Sequence, residues 1–559
     1  MKSVFVLIRV LAYLCVLMCI LAMSAFGSDV YIAQYSTGSD NGAGCSNAHS
    51  AMWFNTLGNW GTGTGNIGPD SNVHLCGTFT GTVNTTMLTF QGSGTIGHPI
   101  TILFESGAKL ESPRWAETGA INLNNKNYIL IDGGTTCGQI GGVKTECNGL
   151  IRNTLSGSAG LTCPGGTCAI TLDGGSSSGI FSEGSSSGIE IKNLHIGPMY
   201  VRELNTNAEG MSTAGVAIIH GSSQNISFHN NIIEGAGHLL EIGWSDSATG
   251  TLSGFYVYNN NLSNMCWAIG MGKGGSGIAN DSGLIGDIQI YNNEMYDWRW
   301  AGDNFGANVC HANGTMLFNG DGYTLYSVGY IGDNNSNIYN NYLHGSLTGG
   351  IPETSPSGWI SCQDSCGPIN VFNNVVIDNQ ATGANGGGLI YFNGIGGGGQ
   401  KVYNNTLVRP HNMGACITVT ADSRFGNVLI KNNIMSGCSA AIEMRTNNPT
   451  RVTSDYNDGY DIGTWFVYNS AVYGNFVSLS SFRSTYGQEL HSITTNPNLT
   501  TTYELSSTSP ARDTGTALGS AYALDKKRVS RPQGAAWDIG AYEYILRKPL
   551  PPRNVKVTP

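Results

Sequence analysis

The sequence predicts an all-β solenoid, and two observations between residues 226 and 435 carry the prediction. One short phrase recurs there seven times: an apolar residue, one further residue, Asn-Asn, any residue and a second apolar residue. Both apolar positions fit strand alternation around a sharp bend. Repetition at about 20–50 residues is typical of solenoids, propellers and arrays. The first Asn of each copy is Asn230, Asn259, Asn292, Asn340, Asn373, Asn404 and Asn432, at intervals of 29, 33, 48, 33, 31 and 28 residues.

The phrase itself selects among those architectures. The residue two before the first Asn is Phe, Val or Ile, and the residue three after it is Ile, Leu, Met or Val, so both must face the interior. Asn tolerates the left-handed backbone that a two-residue bend needs. Stacked coils would align the Asn residues in a ladder at roughly 4.8 Å spacing, with each amide bonding the next.

The residue directly before the Asn pair is aromatic in most copies, and alternation places it on the outer face. We expect these rings to stack from coil to coil as a structural feature rather than a binding one. They are Tyr258, Tyr291, Tyr339, Phe372 and Tyr403.

A second, longer strand fits between successive copies, as in HLLEIGW at 238–244 and GLIYFNG at 388–394. Each coil therefore reads as long strand, turn, short strand, Asn-Asn bend, short strand and variable loop. A leucine-rich repeat would need a Leu-x-x-Leu-x-Leu frame, which the sequence lacks. A propeller blade would need four strands and its own signature in every repeat.

These phrases and their order resemble the coils of the pectate-lyase-like superfamily, over about residues 29–545. The resemblance implies a right-handed parallel β-helix with an Asn ladder, an N-terminal cap and a C-terminal closing segment. It does not choose an activity, because this fold hosts lyases, hydrolases, tailspikes and adhesins.

Residues 1–27 read as a secretory signal peptide, because positive charge precedes an apolar run and a small-x-small cleavage site follows it. An uncleaved anchor is the alternative. We expect a secreted or cell-surface protein whose mature chain does not insert into a membrane. The remaining divisions are an N-terminal strand and cap at 28–99 with a short helix at 48–57, a parallel β-helix at 100–480, a closing segment at 481–545, and a Pro-rich linker with a possible truncated fibronectin-type module at 546–559.

The composition limits the kinds of partner that the chain is expected to bind. Charged residues make up 11% of the 559 residues, Gly numbers 79, and the net charge is −10. An acidic balance without basic runs argues against binding to nucleic acid or to an anionic membrane surface. We expect a monomer.

The cysteines predict disulfides. Of fourteen, Cys15 and Cys19 lie in the signal peptide, which leaves an even twelve in an exported chain. Equivalent positions on neighbouring coils predict the pairs Cys266–Cys310 and Cys416–Cys438. The other expected pairs are Cys137–Cys147, Cys163–Cys168, Cys362–Cys366 and Cys45–Cys76. A metal or redox role for Cys362 and Cys366 is the weaker alternative, since no second Cys/His pair lies nearby in sequence.

Established catalytic motifs are missing from the sequence. It contains no Asp-Asp, Gly-His-Gly or Arg-Ile-Lys, so the polygalacturonase set has no counterpart. Walker, His-Glu-x-x-His and Gly-x-Ser-x-Gly motifs are absent as well. Half of the ten Trp residues instead gather between 238 and 364, where the longest interval also falls. Loops of a solenoid insert on one face, often the binding face.

The resemblance implies a saccharide groove along the long strands and their flanking loops, with a polysaccharide or surface glycan as partner. The candidates for substrate binding are Glu241, Trp244, Trp267, Trp298, Trp300 and Trp359. A basic residue would take the proton in a lyase reaction, and the candidates are Lys273, Arg299 and His311. Glu241 and Asp321 are the candidate metal ligands, with calcium as the candidate cofactor. For each of these residues the alternative to a functional role is an ordinary structural one, either packing within a loop or an exposed polar group in solvent.

Two functions stay open on the sequence alone. One is a polysaccharide-active enzyme, either a lyase or a glycoside hydrolase. The other is a non-catalytic surface adhesin or structural rod. The aromatic-rich insertion favours saccharide contact in both cases.

Overall fold

A computed structural model describes residues 27–154, 177–199, 213–219, 222–242, 252–273, 285–296, 313–319, 335–345, 358–364, 367–378, 388–394, 399–409, 414–421, 427–444, 451–468 and 475–546. Within these residues the chain coils through parallel strands into a right-handed parallel β-helix, as the sequence predicts.

One face of the coils is a parallel sheet, formed mainly by the strands that precede the Asn pairs. Among the described residues it has fourteen strands, in the spatial order His49–Ser50, Asp29–Ala33, Asn72–Leu75, Ile100–Phe104, Ile129–Asp132, Ser187–Lys192, Gln224–His229, Leu252–Tyr258, Ile285–Tyr291, Asn337–Tyr339, Asn370–Phe372, Lys401–Tyr403, Val428–Lys431 and Val452–Asp455.

The short strands that follow the bends form a second row, which we call the short row. Its members are Thr78–Thr80, Lys109–Ser112, Gly149–Asn153, Leu194–Ile196, the beginnings of Ile232–Ile242 and Asn261–Lys273, then Glu294–Tyr296, Tyr342–His344, Val375–Ile377, Thr406–Val408, Ile434–Ser436 and Asp458–Tyr460.

The third row, here the long row, contains the longer strands of each coil. Its members are Leu88–Thr89, Ile121–Asn122, Ser177–Glu183, Thr213–Ile219, the ends of Ile232–Ile242 and Asn261–Lys273, then Asn313–Asn319, Gly358–Asp364, Ile390–Gly394, Ala415–Ala421, Ala440–Met444 and Thr464–Tyr468. Asn475–Val477 adds an antiparallel edge to Thr464–Tyr468. Because Ile232–Ile242 and Asn261–Lys273 run through both rows, the two rows join into one sheet.

The N-terminal end is closed by a short helix, Ala51–Phe54, and a 3-10 turn, Leu57–Asn59. Ser50 caps the helix by accepting the backbone N–H of Trp53 at 3.2 Å. Phe54 meets Trp60 and Phe90 edge-on and covers the apolar end of the first coil. The helix lies within the predicted range 48–57. The N-terminal strand, Asp29–Ala33, belongs to the fourteen-stranded sheet and pairs in parallel with Asn72–Leu75.

The first Asn of each copy makes the bend, as predicted. All seven have positive φ, between 53° and 57°, and so does Asn193 of the degenerate copy at 57°. Side-chain oxygens that bond locally make Asn better suited than most residues to this left-handed conformation. The bend turns the chain sharply between the fourteen-stranded sheet and the short row.

The second Asn of each pair forms the ladder. These side chains are at most 1% exposed, and each Nδ2 donates to Oδ1 of the equivalent Asn on the next coil at 2.9–3.1 Å. The same oxygen accepts the backbone N–H of the previous Asn at 2.9–3.1 Å. Buried amide groups are therefore satisfied from coil to coil. The ladder comprises Asn231, Asn260, Asn293, Asn341, Asn374, Asn405 and Asn433, and it ends at Asn457, which follows Tyr456 and accepts from Asn433.

The rings before the Asn pairs stack on the outer face, as expected. Ring centroids are 4.9 Å apart from Tyr258 to Tyr291, from Tyr291 to Tyr339 and from Tyr339 to Phe372, with planes within 13° of parallel. Tyr403 instead meets Tyr522 of the closing segment at 5.1 Å, edge to face. The closing segment thus packs on this side of the helix.

The closing segment includes most of the helix Leu479–Tyr486, and its later part lies along the Asn bends. Asn373 donates to the carbonyl of Leu524 at 2.7 Å, and Asn432 donates to that of Thr516 at 2.8 Å. Arg531 and Glu543, whose side chains are fully buried, pair at 3.1 Å and hold the segment together. Its short 3-10 turn is Ser520–Tyr522.

A hairpin of Gly138–Ile140 and Val143–Thr145 covers the preceding part of the same edge. The backbone N–H of Gln139 donates to the carbonyl of Asn259 at 2.8 Å. Between them, the hairpin and the closing segment shield much of the bend edge from solvent.

Three predicted disulfides are confirmed: Cys45–Cys76, Cys137–Cys147 and Cys416–Cys438. Their Cα separations are 5.5, 5.0 and 5.6 Å. Cys362 is disulfide-bonded, but Cys366 lies outside the described residues, as do Cys163, Cys168 and Cys310. No helix in the described part of the chain is long and apolar enough to cross a membrane.

Candidate functional site

The outer face of the long row presents one line of side chains across successive coils. Register places Ala217 beside Glu241, and Glu241 beside Gly270. The neighbours Leu240 and Ile242 are buried, so alternation directs Glu241 outward, as the sequence predicts. Farther along, the same line passes through Ser361, Tyr391, Thr418 and Glu443.

His238, Glu241 and Trp267 form a compact cluster on this face. Nδ1 of His238 lies 3.2 Å from a carboxylate oxygen of Glu241. The imidazole stacks on the Trp267 ring with centroids 4.2 Å apart and planes 10° apart. Both members of the His238–Glu241 pair are mostly buried, with about one-sixth of each side chain exposed at 15% and 17%. The cluster is thus a fixed platform that contains an acid, an imidazole and an indole.

Gly270 explains why the indole can lie close to the sheet. A Cβ atom at this position would lie 3.2 Å from Cε3 of Trp267, which is tighter than ordinary contact. Any larger residue would push the ring away from the strand. The side chain of Trp267 is half-buried, so the platform is supported from below and reachable from outside.

A second acidic position lies at the far end of the line. Thr418 Oγ1 donates to Glu443 Oε2 at 3.1 Å, and Tyr391 occupies the preceding coil. Six strand separations connect Glu241 to Glu443 through the register. At about 4.8 Å each, the two carboxylates are about 29 Å apart.

Trp359, a sequence candidate for saccharide contact, lies on the inner side of the long row. The side chain is 1% exposed and packs in the interior with Ile360 and Leu389 nearby in the core. Gly358 occupies the register position of Trp267, so Trp359 falls one residue later, at the position of Ala268. That position turns into the core and offers no ring face to a sugar.

The other sequence candidates lie mostly outside the described residues. Trp244, Trp298, Arg299, Trp300, His311 and Asp321 are not described, and of Lys273 only the backbone is, at the end of its strand. Their assignment to substrate, catalysis or metal therefore stays a prediction. Among the described residues no group of three or more His, Cys, Asp or Glu could hold a metal ion.

Sequence reasoning gave no role to His238, which the structure brings into the cluster. The pattern HLLEIGW alone does not show what its first residue faces. Only the register that pairs His238 with Trp267 on the next coil reveals the stacking. An alignment of the first residues of the long strands was the signal in the sequence that could have indicated the pairing of His238 with Trp267.

Comparison with known proteins does not assign the chain to a family. No protein-family model matches the chain, and no curated protein matches it. Solved structures are similar to it at low identity, and three of them follow. Pectate lyase Pel9A is 12% identical with a TM-score of 0.36, covering 93% of this chain and 96% of that one. GH136 lacto-N-biosidase from Eubacterium ramulus is 13% identical with a TM-score of 0.42, covering 78% and 68%.

The third is a mannuronic acid specific polysaccharide family 6 lyase from human gut microbiota, 12% identical with a TM-score of 0.32, covering 79% of this chain and 83% of that one. At such identities and TM-scores we take no activity from these likenesses. The right-handed parallel β-helix rests on the strand pairing described above, and the resemblance seen in the sequence is confirmed for the fold alone.

Proposed function

We propose that the chain is an exported protein that binds polysaccharide along the outer face of the long row. The observation that carries the proposal is the His238–Glu241–Trp267 platform, where a half-buried indole stacks on an imidazole that lies 3.2 Å from an outward carboxylate. Aromatic faces stack on the apolar faces of sugar rings, while carboxylates accept hydrogen bonds from hydroxyls. The disulfides support export, since such bonds persist in oxidising compartments.

A rigid parallel scaffold suits an extended ligand. Outward residues on neighbouring coils are held about 5 Å apart by strand pairing. Along this line the accessible groups lie at the two ends, Glu241 beside Trp267 and Glu443, because Ser361, Tyr391 and Thr418 between them are buried. Binding groups on strands are positioned more firmly than groups on loops. The ligand class this favours is a linear polysaccharide that spans several coils.

For cleavage, the described residues favour proton transfer over carboxylate-pair hydrolysis. Glycoside hydrolases that use two carboxylates hold them about 5–10 Å apart. The separation of about 29 Å between Glu241 and Glu443 rules out that pair. His238, oriented by Glu241, is the described side chain best suited to accept a proton, as a lyase reaction requires.

The test is saccharide binding and cleavage by the parent chain and by Trp267→Ala. We expect the parent to bind at least one member of a panel of acidic and neutral plant, algal and microbial polysaccharides on affinity gels. Loss of a stacking surface costs about 1–3 kcal/mol, so Trp267→Ala should bind roughly five- to a hundredfold more weakly. Tyr256→Ala is the matched control, because Tyr256 lies on the fourteen-stranded sheet and contacts Asp287.

Cleavage is measured as new reducing ends and as the ultraviolet absorbance of an unsaturated product, with and without EDTA. A lyase would give both signals, and His238→Gln should remove them in a variant whose circular dichroism is normal. Binding by Trp267→Ala equal to that of the parent, with normal circular dichroism, would place the groove elsewhere. If the parent binds no polysaccharide at all, the alternative of a non-catalytic adhesin or structural rod holds.

A further inference from the structure

A cavity lies on the bend edge of the helix, away from the long row. Its volume is about 740 Å³, within the range of roughly 300–1,000 Å³ that small-ligand pockets occupy. Gly141 and Gly142 of the hairpin form one side, and residues 526–528 of the closing segment form the other. The floor contains the bend residues Asn259, Asn292 and Asn340. The cavity is therefore a gap between the two elements that cover the edge.

The bend residues inside the gap are partly exposed, unlike those beneath the cover. Under the closing segment, Asn373 and Asn432 donate to backbone carbonyls at 2.7 and 2.8 Å, and Asn404 between them is buried with no partner for its amide among the described residues. In the gap, the side-chain amides of Asn259 and Asn292 make no hydrogen bond to any other described residue. Amides held by a rigid edge without protein partners are suited to a ligand that carries hydroxyls.

The Oδ1 atom of Asn340, on the same floor, is buried and has no hydrogen-bond partner among the described residues. Its backbone carbonyl accepts from Nζ of Lys526, which fixes that lysine over the floor. Burial lowers the pKa of Lys526 to about 7, with Glu294 and Asp525 acting in the opposite sense, so this amine is only partly charged near neutral pH. A buried oxygen and a lysine therefore meet at the closing-segment side of the gap.

Lys526, Lys527 and Arg528 line the closing-segment side of the cavity, and the Glu294 carboxylate lies on its floor. Lys527 is paired with Glu504 at 2.7 Å, and Glu294 lies 3.0 Å from Nε2 of His344. Arg528 makes no ion pair with a described residue, and a guanidinium keeps its proton at any physiological pH. Arg528 is thus the constant positive charge of the cavity.

The loop that presents Arg528 is held firmly. Asp525 accepts the backbone N–H groups of Lys527 and Val529 at 2.8 and 2.7 Å, and its second oxygen accepts that of Glu543 at 2.9 Å. These bonds keep the loop at a fixed distance from the bend edge. A preformed site loses less entropy on binding than a mobile one.

We propose that this cavity binds the charged unit of an acidic saccharide, a sugar ring that carries a carboxylate or a sulfate group. Arg528 holds the anionic group, while the amides of Asn259 and Asn292 bind ring hydroxyls. The rings of Tyr342 and Tyr542, which also line the cavity, flank the sugar. A bare inorganic anion would satisfy the guanidinium and leave the two amides without partners. The site is separate from the polysaccharide platform and does not depend on it.

The experiment uses the full mature chain carrying Trp267→Ala, so that the long-row platform is removed from the measurement. Isothermal titration follows four probes: a tetragalacturonate, a chondroitin sulfate tetrasaccharide, cellotetraose and sodium sulfate. We expect one or both acidic tetrasaccharides to bind, with carboxylate or sulfate preference read directly from the first two probes. Cellotetraose and sulfate should bind much more weakly, since each offers only half of the contacts.

Two substitutions locate that binding. Arg528→Ala should weaken it by about ten- to a hundredfold, as expected for a hydrogen bond to a charged group. Asn292→Asp keeps a residue that tolerates the left-handed bend but places a carboxylate against the anion, so it should weaken binding as well. Arg512→Ala is the control, because it removes one positive charge from the same closing segment, where Arg512 lies over Tyr544.

Several results would overturn the proposal. One is an absence of binding by either acidic tetrasaccharide, and another is equal binding by cellotetraose or by sulfate alone. A third is full binding by both Arg528→Ala and Asn292→Asp. These outcomes are independent of the platform, since loss of polysaccharide binding by Trp267→Ala says nothing about the cavity.

Discussion

Replacing Asp458 by Asn should make the protein more stable, and more so as the pH rises. Asp458 begins the short-row strand that follows the last ladder residue, Asn457, and its side chain is 0% exposed. Neither carboxylate oxygen has a hydrogen-bond partner among the described residues. Its register neighbours are Ile434 and Ile493, so the carboxyl lies in apolar surroundings. Burial alone raises its pKa from 3.8 to about 8.

The sign follows from which state holds the proton. Between about pH 4 and pH 8, the folded chain keeps a proton on Asp458 that the unfolded chain has released. The part of the free energy of unfolding that depends on Asp458 is therefore fully present below the pKa of the unfolded chain. It falls as the pH rises through that window and does not change further above about pH 8. At about 1.4 kcal/mol per pKa unit, the loss is on the order of 5 kcal/mol. Asn cannot ionise, so Asp458→Asn avoids the loss.

The assay is urea denaturation followed by circular dichroism at several pH values for the parent and for Asp458→Asn. We expect the two curves to nearly coincide at about pH 4 and the variant to be more stable at about pH 9. Glu489 is also buried with a raised pKa and affects both proteins alike, so the difference between the curves isolates Asp458. Asp461→Asn is the control: it is exposed, and its φ of 52° suits Asn. Equal stability of variant and parent at high pH, or a gain that does not grow with pH, would refute the reasoning.

Three further predictions concern the scaffold, each checked by the urea midpoint unless stated. Asn341→Ala interrupts the ladder and leaves the buried N–H groups of Asn293 without an acceptor, which should destabilise the fold by about 1–3 kcal/mol for each group. The control Asn335→Ala, at the exposed edge, should have little effect. Removing the Cys416–Cys438 disulfide by a double Ser substitution should cost about 2–4 kcal/mol, and a reducing agent should shift the parent in the same direction. Glu543→Gln leaves the fully buried Arg531 without its carboxylate, which should cost about 3–5 kcal/mol and expose the closing segment to limited proteolysis; an unchanged digestion pattern would contradict this.

The interior and the bend edge could be predicted from sequence because each obeys a local rule that repeats. The coil that contains Val257, Tyr258 and Leu262 is an example. Strand alternation alone predicts which of its side chains point inward and which point outward, except for the amides of Asn259 and Asn260. The bend then separates these: the left-handed Asn259 carries its amide to the outside, and Asn260 enters the ladder. The sequence predicts a ladder of Asn but does not say which member of the pair forms it.

The candidate site was predicted only in part, because the long strands do not begin with strict alternation. Glu241 faces outward as predicted, flanked by buried neighbours. At the start of the strand, however, Leu239, Ala268 and Trp359 all turn inward, while Trp267 one position earlier stays on the outer face. Two Trp residues that look equivalent in sequence therefore differ by one register position and by their side of the sheet. A one-residue shift exchanges faces because the side-chain period of a strand is two.

The cavity on the bend edge could not have been predicted by any repeat, because covering elements distant in sequence create it. Gln139 of the hairpin accepts a hydrogen bond from Asn261 at 3.1 Å across 122 residues, and Lys526 reaches the carbonyl of Asn340 across 186. Such contacts depend on where a non-repeating segment comes to rest on the rod. The coils supply an Asn at each bend along the edge, and the cover determines which of them stay partly exposed: Asn259 and Asn292 do, whereas Asn404 is buried. The repeat therefore builds the edge, and the irregular segments determine which part of it is open to the proposed saccharide.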